Sequence, residues 1–544
     1  MEDATDSKIQ IGVVVKTSSA LEGSGWVGFG FSEAGGMRGA DIVYYEAASN
    51  TIVDSHVDDG YLRPMRDQLS QDWSLVRGET TNDGFLLFEA ERDLVAANVE
   101  DHDIVNDSSL WVANHRIIGA WGNASTISFH MNDVVQRSVQ LFSDGPDGTN
   151  SGDTHAGFLE QMNERADGHV FLKLNNYTIP AQETTYEDFC FTVNDLVELG
   201  LYEDVNSSTH IVGIEWIVDR NSAKYMHHGL LYGQLANYAT DTDSCSEFSM
   251  PFGGWASGSD PFSFPKGAGL EVGNVANSVN AISIQYHFDN IDEDKYIIDS
   301  SSGVKIYYTN QKSTIENEIG LAFMGDAPLN LIGEMIGNGK SKHEISCPSS
   351  CSNILFNEGV EEVTVVYEGL HMHAKGKRMV NTLYSEDGNE VHAATGEFYD
   401  FDQSGILAVR QNPYSMKRGD YYKTTCYYES YDNTKIGRSS KDEMCMTFLY
   451  YYPKQENFLT CSPNQVFPPF CEATYEKTML DASSKFDRSA PSPDISPEGT
   501  TNDGKPSNNN DDGRADAGPS SSSSSVMTIA KITIFLVIVV IANL

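Results

Sequence analysis

Short runs of alternating apolar and polar residues, separated by turns rich in Gly, Asn and Asp, recur through most of the chain. Runs such as Trp26 to Phe31, Asp41 to Tyr45 and Gly84 to Phe88 are dense in aromatic and β-branched side chains. A period of two is typical of strands that bury one face, and few apolar runs are long enough for a packed helix. The pattern predicts an all-β chain that begins with an antiparallel β-sandwich.

Changes in composition indicate where the folded parts end. A stretch rich in Gly, Asp, Asn and Ser near residues 143–168 predicts a linker. After Cys471 the composition turns to Ser, Pro, Asn and Asp, which cannot bury a core and predicts a disordered stalk. The predicted segments are a sandwich at 1–145, a linker at 146–170, a β region at 171–475, a stalk at 476–525 and an apolar tail at 526–544.

The two ends of the chain differ in what they indicate about targeting. The tail Val526 to Leu544 carries Lys531 as its only charge, and Asp516-Ala517-Gly518 and a serine run precede it. Small residues, a polar spacer and a terminal apolar tail are typical of a glycolipid-anchor signal, and a single membrane span is the alternative. No signal peptide is visible at the N-terminus, which suggests an incomplete or mature start.

Cysteine usage predicts an oxidising compartment. All eight cysteines lie at or after Cys190, and an even number favours disulfides. A zinc site at Cys347 and Cys351 is the alternative, but no second close pair follows at finger spacing. Glycosylation sequons also predict the secretory pathway or cell surface, and they lie at Asn106, Asn123, Asn176 and Asn206.

The charge balance narrows the class of partner. Lys and Arg total 36 against 78 Asp and Glu, a net charge of −42. This excess argues against a nucleic-acid partner, whose phosphates need basic side chains. Because the acidic residues are spread along the chain, the simplest interpretation of the excess is a surface that keeps the protein soluble.

Histidine and methionine spacing predicts metal chemistry. Neighbouring side chains in a strand point to opposite faces, so His227 and His228 can share one ion only through a twist or bulge. His371 and His373 are separated by one residue and therefore share a strand face. Imidazole suits several transition metals, whereas a thioether such as that of Met444 is a soft donor that favours Cu(I).

These residues stand in segments that resemble a known family. The segments Ile179 to Tyr186, Met226 to His228, Gln285 to His287, His371 to His373 and Asp442 to Met446 resemble the copper type II, ascorbate-dependent monooxygenases, the family of dopamine β-hydroxylase. The segments Gly25 to Ser32, Gly36 to Asp41 and Gln71 to Trp73 resemble the DOMON domain, a β-sandwich found beside redox domains.

The resemblance implies a fold and two copper ions per subunit. It implies two jelly-roll subdomains, 171–320 and 321–475, that face one another across a solvent-filled cleft. Tyr186 and His371 correspond to active-site residues of the family. The implied ligands are His227, His228 and His287 for copper A, which transfers electrons, and His371, His373 and Met444 for copper B, which binds oxygen.

The resemblance also implies how the cysteines pair and where this chain departs from the family. Gly229 stands where a Met is usual, and Met372 where a Thr is usual; packing is expected for Met372, which points away from its neighbours. The implied disulfides are Cys190–Cys245, Cys347–Cys461, Cys351–Cys471 and Cys426–Cys445, which use every cysteine.

Three functions are weighed. The resemblance favours a copper monooxygenase that hydroxylates a C–H bond of a small, phenylethylamine-like substrate with O2, and ascorbate as the electron donor. A non-catalytic cell-surface binding protein on the same scaffold is the alternative. A haem held by Met37 with His115 or His130 is a third reading, which is disfavoured because methionine near aromatics is more often packing.

Overall fold

The computed structural model describes residues 8–486 and 533–540 apart from short gaps. The gaps are 17–23, 34, 59–62, 82–83, 99, 105–114, 131–133, 140–153, 237–241, 246–248, 257–258, 260, 276–277, 291–292, 327–332, 402–406, 410–412, 438–440, 457–458, 464–470 and 485. The prediction of an all-β chain is confirmed, because the described residues form 33 strands and only three short α-helices.

The N-terminal domain is a sandwich of two sheets. Its strands are β1 (Lys8–Lys16), β2 (Trp26–Phe31), β3 (Asp41–Glu46), β4 (Thr51–His56), β5 (Met65–Arg66), β6 (Ser74–Thr80), β7 (Phe85–Asp93), β8 (His115–Gly122) and β9 (Val134–Val139). One sheet contains β1, β7 and β6, and the other runs β5-β4-β3-β2-β8-β9. Alternate residues of β1 and β7 are buried, and they pack with Phe29, Trp73 and Trp121 into one core.

The apolar tail contributes a strand to this domain. Residues Thr533–Val540 form a strand parallel to β1, with Lys8 opposite Thr533 and Val15 opposite Val540. No helix among the described residues is long and apolar enough to cross a membrane. Membrane attachment through this tail stays a prediction.

The next subdomain is built around one large sheet. Its elements are α1 (Thr154–Arg165), β10 (Gly168–Lys173), β11 (Tyr177–Ile179), β12 (Thr184–Phe191), α2 (Val193–Glu198), β13 (Ser208–Ile217), β14 (Met226–Leu235), β15 (Ser249–Ala256), β16 (Phe262–Ser263), β17 (Ala268–Gly273), β18 (Val279–Asp289), β19 (Ile297–Asp299), β20 (Gly303–Thr309) and β21 (Asn317–Glu318). Central strand order is β10-β20-β13-β17-β18-β14-β15, with β12 also paired to β18.

Helix α1 lies inside the segment predicted as a linker. Phe158 and Met162, four residues apart and therefore on one helix face, are buried against Val212 and Tyr307. This apolar pair was the available signal for the helix. The ordered chain of this subdomain therefore begins at least as early as Thr154.

The last subdomain is a two-sheet sandwich. Its elements are β22 (Gly320–Gly325), β23 (Gly339–Cys347), α3 (Ser349–Leu355), β24 (Glu362–Met372), β25 (Gly376–Tyr384), β26 (Glu390–Gly396), β27 (Leu407–Val409), β28 (Tyr414–Lys417), β29 (Tyr421–Ser430), β30 (Cys445–Tyr452), β31 (Leu459–Cys461) and β32 (Thr474–Met479). One sheet runs β27-β24-β30-β22-β31 and the other β26-β25-β29-β23-β32. Strand β32 extends beyond the predicted boundary at residue 475, because its backbone pairs with β23 as far as Met479.

The two β subdomains meet through aromatic side chains. Tyr450 belongs to the core of the first β subdomain although it lies on β30, and its ring packs against Phe262 and Phe264. The Tyr450 hydroxyl donates a hydrogen bond to the carbonyl of Phe252. This contact fixes the sheet containing β24 and β30 against the sheet containing β14 and β18.

Candidate metal centres

Three histidines from two adjacent strands converge at one point. We call His227, His228 and His287 the first cluster. The Nδ1 atom of His227 lies 3.0 Å from Nδ1 of His228 and 3.0 Å from Nδ1 of His287. Each of these residues can direct one ring nitrogen into a common space, and His228 and His287 are buried.

A β-bulge explains how the adjacent pair converges. Strands β14 and β18 pair Met226 with Phe288 and then His228 with His287, so the register shifts at His227. A bulge inserts one unpaired residue and re-aims its side chain. The local distortion that the sequence required for two adjacent histidines to share an ion is therefore present.

The surroundings of His228 hold it in its neutral form. Burial lowers the pKa of His228 well below its ordinary value, and the neighbouring imidazoles, His227 foremost, lower it further. Neutral imidazole carries the lone pair that binds a metal ion. His228 is therefore available to a metal ion that accepts nitrogen donors.

Tyr186 lies against the first cluster. Strand β12 pairs Tyr186 with His287, and the two rings stack at 4.4 Å with an interplanar angle of 13°. Burial raises the pKa of the Tyr186 phenol, with the charge of Asp289 as a smaller cause. The hydroxyl therefore stays protonated at neutral pH, while the ring limits the rotation of His287.

The structure explains one departure from the family pattern. A Cβ atom on Gly229 would lie only 2.4 Å from Cζ3 of Trp216. The indole of Trp216 thus occupies the space that a side chain would need directly after the histidine pair. We conclude that Gly229 and Trp216 are a matched pair in this chain.

A second cluster lies at the ends of β24 and β30. We define it as His371, His373 and Met444. The rings of His371 and His373 are 5.0 Å apart, and both residues are buried. Strand pairing places His371 opposite Met446 and Met372 opposite Cys445. Continued one residue beyond both strands, this antiparallel register would set His373 opposite Met444, so the predicted ligands belong to neighbouring chain segments.

Backbone contacts orient His373. Its Nδ1 lies 3.0 Å from the carbonyl oxygen of Asp442, and since a carbonyl only accepts, Nδ1 carries the proton and Nε2 carries the lone pair. The buried carboxylate of Glu443 accepts the backbone N–H groups of His373, at 3.1 Å, and Lys375, at 2.5 Å. Glu443 thereby fixes the turn that follows the ligand.

Met372 and Met444 have different surroundings. Met372 is fully buried in the core of the last subdomain, as expected for packing, and its backbone exchanges two hydrogen bonds with the hydroxyl of Tyr399. Met444 is partly buried, and its carbonyl accepts a hydrogen bond from Tyr428 at 2.7 Å. The bridge from Cys426 to Cys445 anchors the strand directly after Met444.

The ring of Phe401 lies between the two clusters. Its centroid is 5.2 Å from the ring of His228 and 5.1 Å from that of His373. It also contacts His227 at 5.7 Å and His371 at 6.3 Å. Phe401 therefore contacts both clusters at this position, and the solvent-filled cleft that the resemblance implies stays a prediction.

The N-terminal domain holds the segment that carries Phe401. The Glu33 carboxylate accepts the backbone N–H of Glu397 at 2.8 Å, and the Arg38 guanidinium donates to the carbonyl of Tyr399. Gly39 is packed so closely that an added Cβ would lie 2.4 Å from the Phe398 ring. The N-terminal domain therefore contacts a segment that reaches both clusters.

The donor sets fit copper. Three convergent imidazole nitrogens suit copper in either oxidation state, and two imidazoles with a thioether suit Cu(I). The orienting bond from His373 to a backbone carbonyl is usual for a metal-ligating histidine. The residues present could therefore hold one copper ion at each cluster.

The other predicted sites fall in different places. The four disulfides join the pairs that the resemblance implied. Asn123, Asn176 and Asn206 are exposed, and Asn106 lies outside the described residues. Met37 packs against the cluster of Ala40, Ile42 and Val57, and the ring of His130 stacks on Phe129. His115 is the first residue of β8.

Several residues around the clusters were not predicted from the sequence. They are Glu443, Tyr399, Phe401, Glu33 and Arg38. Glu443 lies inside a predicted motif, so its position was the one available signal. The others come from segments without a metal-ligand pattern and are recognisable only from their contacts.

Comparison with known proteins agrees with this geometry. Residues 170–295 match the N-terminal domain and residues 331–469 the C-terminal domain of the copper type II ascorbate-dependent monooxygenases, and residues 4–114 match the DOMON domain. The chain is similar to DBH-like monooxygenase protein 1 of Homo sapiens, at 24% identity over 79% of this chain and 68% of the relative.

Two further relatives have named substrates. Tyramine beta-hydroxylase of Caenorhabditis briggsae is 22% identical over 78% of this chain and 70% of its own length. Dopamine beta-hydroxylase of Bos taurus is 24% identical over 79% of this chain and 68% of its own length. With both family domains matched in order, the chain belongs to the copper type II ascorbate-dependent monooxygenase family and carries a DOMON domain before them.

Proposed function

We propose that this protein hydroxylates a C–H bond of a small aromatic substrate with O2, using copper at both clusters and ascorbate as reductant. One oxygen atom enters the C–H bond and the other leaves as water, which requires two electrons and two protons. Two ascorbate molecules supply one electron each. The observation that carries the proposal is the pair of dissimilar donor sets in contact with one ring, that of Phe401.

The surrounding residues have separate roles in this proposal. Copper, when bound, would supply one-electron transfer at the first cluster and oxygen activation at the second. Tyr186 limits the rotation of His287, and Glu443 holds the backbone of His373. Four of the predicted ligands are buried, which limits the access of water to a reactive centre; they are His228, His287, His371 and His373.

A cleft beside the second cluster supports an aromatic substrate. It is a groove partly open to solvent, and its enclosed space is only about 30 Å3. Its lining comes from both subdomains and includes Phe252, Phe323, Tyr367, Phe448 and Tyr450. Tyr367 shares a strand face with His371, and the ring of Phe448 is 6.4 Å from that of His371. Because the enclosed space is too small for a ring, an aromatic substrate would stack on the open side of this groove, where the ring of Phe448 leads towards His371.

The overall charge supports an amine on that substrate. A net charge of −42 attracts cations to the surface, and a phenylethylamine is protonated at neutral pH. The relatives named for tyramine and dopamine are in keeping with this class. A phenylethylamine-like substrate is therefore the first class to screen.

The proposal is tested by copper analysis together with ascorbate-dependent oxygen uptake. The copper-loaded protein should consume oxygen with a phenylethylamine and form a hydroxylated product. Met444→Ala should abolish product formation, because the soft ligand of the second cluster is lost. Met479→Ala is the matched control, since Met479 is half exposed on the edge strand β32, which carries no residue of either cluster.

Two outcomes would refute the proposal. One is a folded protein that retains no copper, and the other is a Met444→Ala variant as active as the parent protein. If the protein formed no product but phenylethylamines raised its melting temperature, the non-catalytic binding function would be supported instead.

A further inference from the structure

Outside the two clusters, three potential ligands meet at the junction of the β subdomains. We call His210 on β13, Glu271 on β17 and Glu318 on β21 the junction site. Strand pairing places His210 opposite Glu271, and Glu318 opposite Gly269. Since Gly269 and Glu271 are two residues apart, they share a face of β17. One ligand atom from each residue lies within 4.8 Å of the others.

His210 lacks the partners that a buried histidine normally has. Its side chain is only 2% exposed, yet neither ring nitrogen has a hydrogen-bond partner among the described residues. Nε2 points towards Glu318, whose Oε1 is 3.8 Å away. That separation is too long for a hydrogen bond, but it leaves space for an ion between the two atoms.

The carboxylates supply charge and access. Glu271 is buried, whereas the side chain of Glu318 is 50% exposed and opens the site to solvent. Two lysines face Glu271, with Nζ of Lys312 at 3.5 Å and Nζ of Lys454 at 3.9 Å. Lys312 is itself largely exposed and can turn away when a cation binds.

We propose that the junction site binds a divalent cation of the zinc class. Imidazole nitrogen and carboxylate oxygen are both zinc ligands, and three protein ligands with a water in the fourth position are a usual zinc arrangement. Burial lowers the pKa of His210, so its imidazole is neutral and available as a ligand. This site is independent of the proposed monooxygenase activity, because it shares no residue with either cluster.

The position of the site indicates what the cation does. Glu318 lies two residues before Gly320, where the first strand of the last subdomain begins. Lys454 follows β30 of that subdomain, and its backbone N–H donates to the Glu318 carbonyl at 2.8 Å. A bound cation would tie β13 and β17 to the chain that leads into the last subdomain, and would thereby stabilise their junction.

The site is tested by zinc binding to the full chain after copper loading, so that both clusters are occupied. Equilibrium dialysis against Zn²⁺ followed by elemental analysis should show one retained zinc per chain, and zinc should raise the melting temperature. Glu318→Gln should weaken zinc binding at least tenfold. Glu316→Gln is the matched control, because Glu316 is exposed and outside the site.

A second variant separates a cation site from an ordinary cluster of ion pairs. Lys312→Ala removes a competing charge and should strengthen zinc binding several-fold. The proposal is overturned if the copper-loaded parent protein retains no zinc, or if Glu318→Gln and Lys312→Ala both bind zinc as the parent does. Zinc that is retained but lost in His228→Ala would lie in the first cluster and would also overturn it.

Discussion

The two histidine clusters are built in different ways. The first cluster comes from two adjacent strands, and a single shift of register at His227 brings its nitrogens together. The second cluster lies where strands end, and it depends on Glu443, on the carbonyl of Asp442 and on a nearby disulfide. A site made by strand register is local, whereas a site at strand ends needs support from residues that are not ligands.

The charged groups around the clusters also differ. At the first cluster, burial and then the neighbouring imidazoles lower the pKa of His228. Buried carboxyl groups lie near the second cluster, and burial raises the pKa of both Asp326 and Glu443 to about 8. Changes at the first cluster should therefore act directly on metal binding, and changes near the second should act through support and stability.

The largest effect is expected from His228→Ala. It removes one of three convergent nitrogens. Loss of a residue that only supports a metal ligand already lowers metal affinity or activity about 10–100-fold. Loss of a ligand itself should therefore lower copper affinity and ascorbate-dependent activity by more than about 100-fold. Copper at the second cluster should remain. The measurement is copper content with oxygen uptake, and exposed His169→Ala is the control. Equal losses at both clusters would contradict their separate construction.

The next effect concerns stability near the second cluster. Burial raises the pKa of Asp326 from an ordinary 3.8 to about 8. The folded protein therefore holds a proton that the unfolded chain has lost, and stability falls as pH rises from about 4 to about 8, by on the order of a few kcal/mol. Asp326→Asn should remove much of this slope.

Chemical denaturation at several pH values measures this slope. Asp387→Asn, at an exposed position in the same subdomain, is the control and should keep the pH dependence of the parent. If the parent protein were equally stable at pH 5 and pH 9, other groups would offset the effect of the Asp326 carboxyl group on the free energy of unfolding, and the prediction would be wrong.

A smaller effect is expected from Glu443→Gln. The amide keeps the size of the side chain but has one acceptor oxygen for two backbone N–H groups, so the turn after His373 loosens. Copper affinity at the second cluster should fall about tenfold, with little change at the first. Copper titration of both clusters measures this, and exposed Glu476→Gln is the control. If copper affinity at the second cluster were unchanged, the proposed difference between a site formed by strand register and a site that depends on supporting residues would be wrong.

A smaller effect again is expected from Phe401→Ala. Without the ring between the clusters, both should retain copper, but electron transfer should become less efficient. The ratio of hydroxylated product to oxygen consumed should fall about fivefold, which corresponds to a rise in activation free energy of roughly 1 kcal/mol. Phe401→Leu should preserve most of the ratio by filling the same space.

The contact with the DOMON domain provides a companion test. Arg38→Ala should lower the same ratio less strongly, because Arg38 acts through the carbonyl of Tyr399. Arg77→Ala, an exposed arginine of the DOMON domain, is its control. An unchanged ratio in Phe401→Ala would show that the aromatic ring is only packing.

Much of the fold and of the site could be predicted, for identifiable reasons. The period of two in runs such as Trp26–Phe31 reports directly which faces are buried, and that strand is present. The spacing of His371 and His373, with one residue between them, predicted that both side chains lie on the same face of a strand. Helix α1 and strand β32 were missed, because each carries only a short signal inside a polar, turn-rich stretch.

The amino-acid sequence by itself determined the all-β class and the candidate metal donors, because these depend on local periodicity and side-chain chemistry, and its resemblance to a family implied the cysteine pairs. Only the tertiary structure decided that a bulge at His227 lets its ring converge with that of His228, and that Phe401 lies between the clusters. Contacts such as that between Arg38 and Tyr399 join residues 361 positions apart. No local pattern encodes them, since they arise when whole domains pack together.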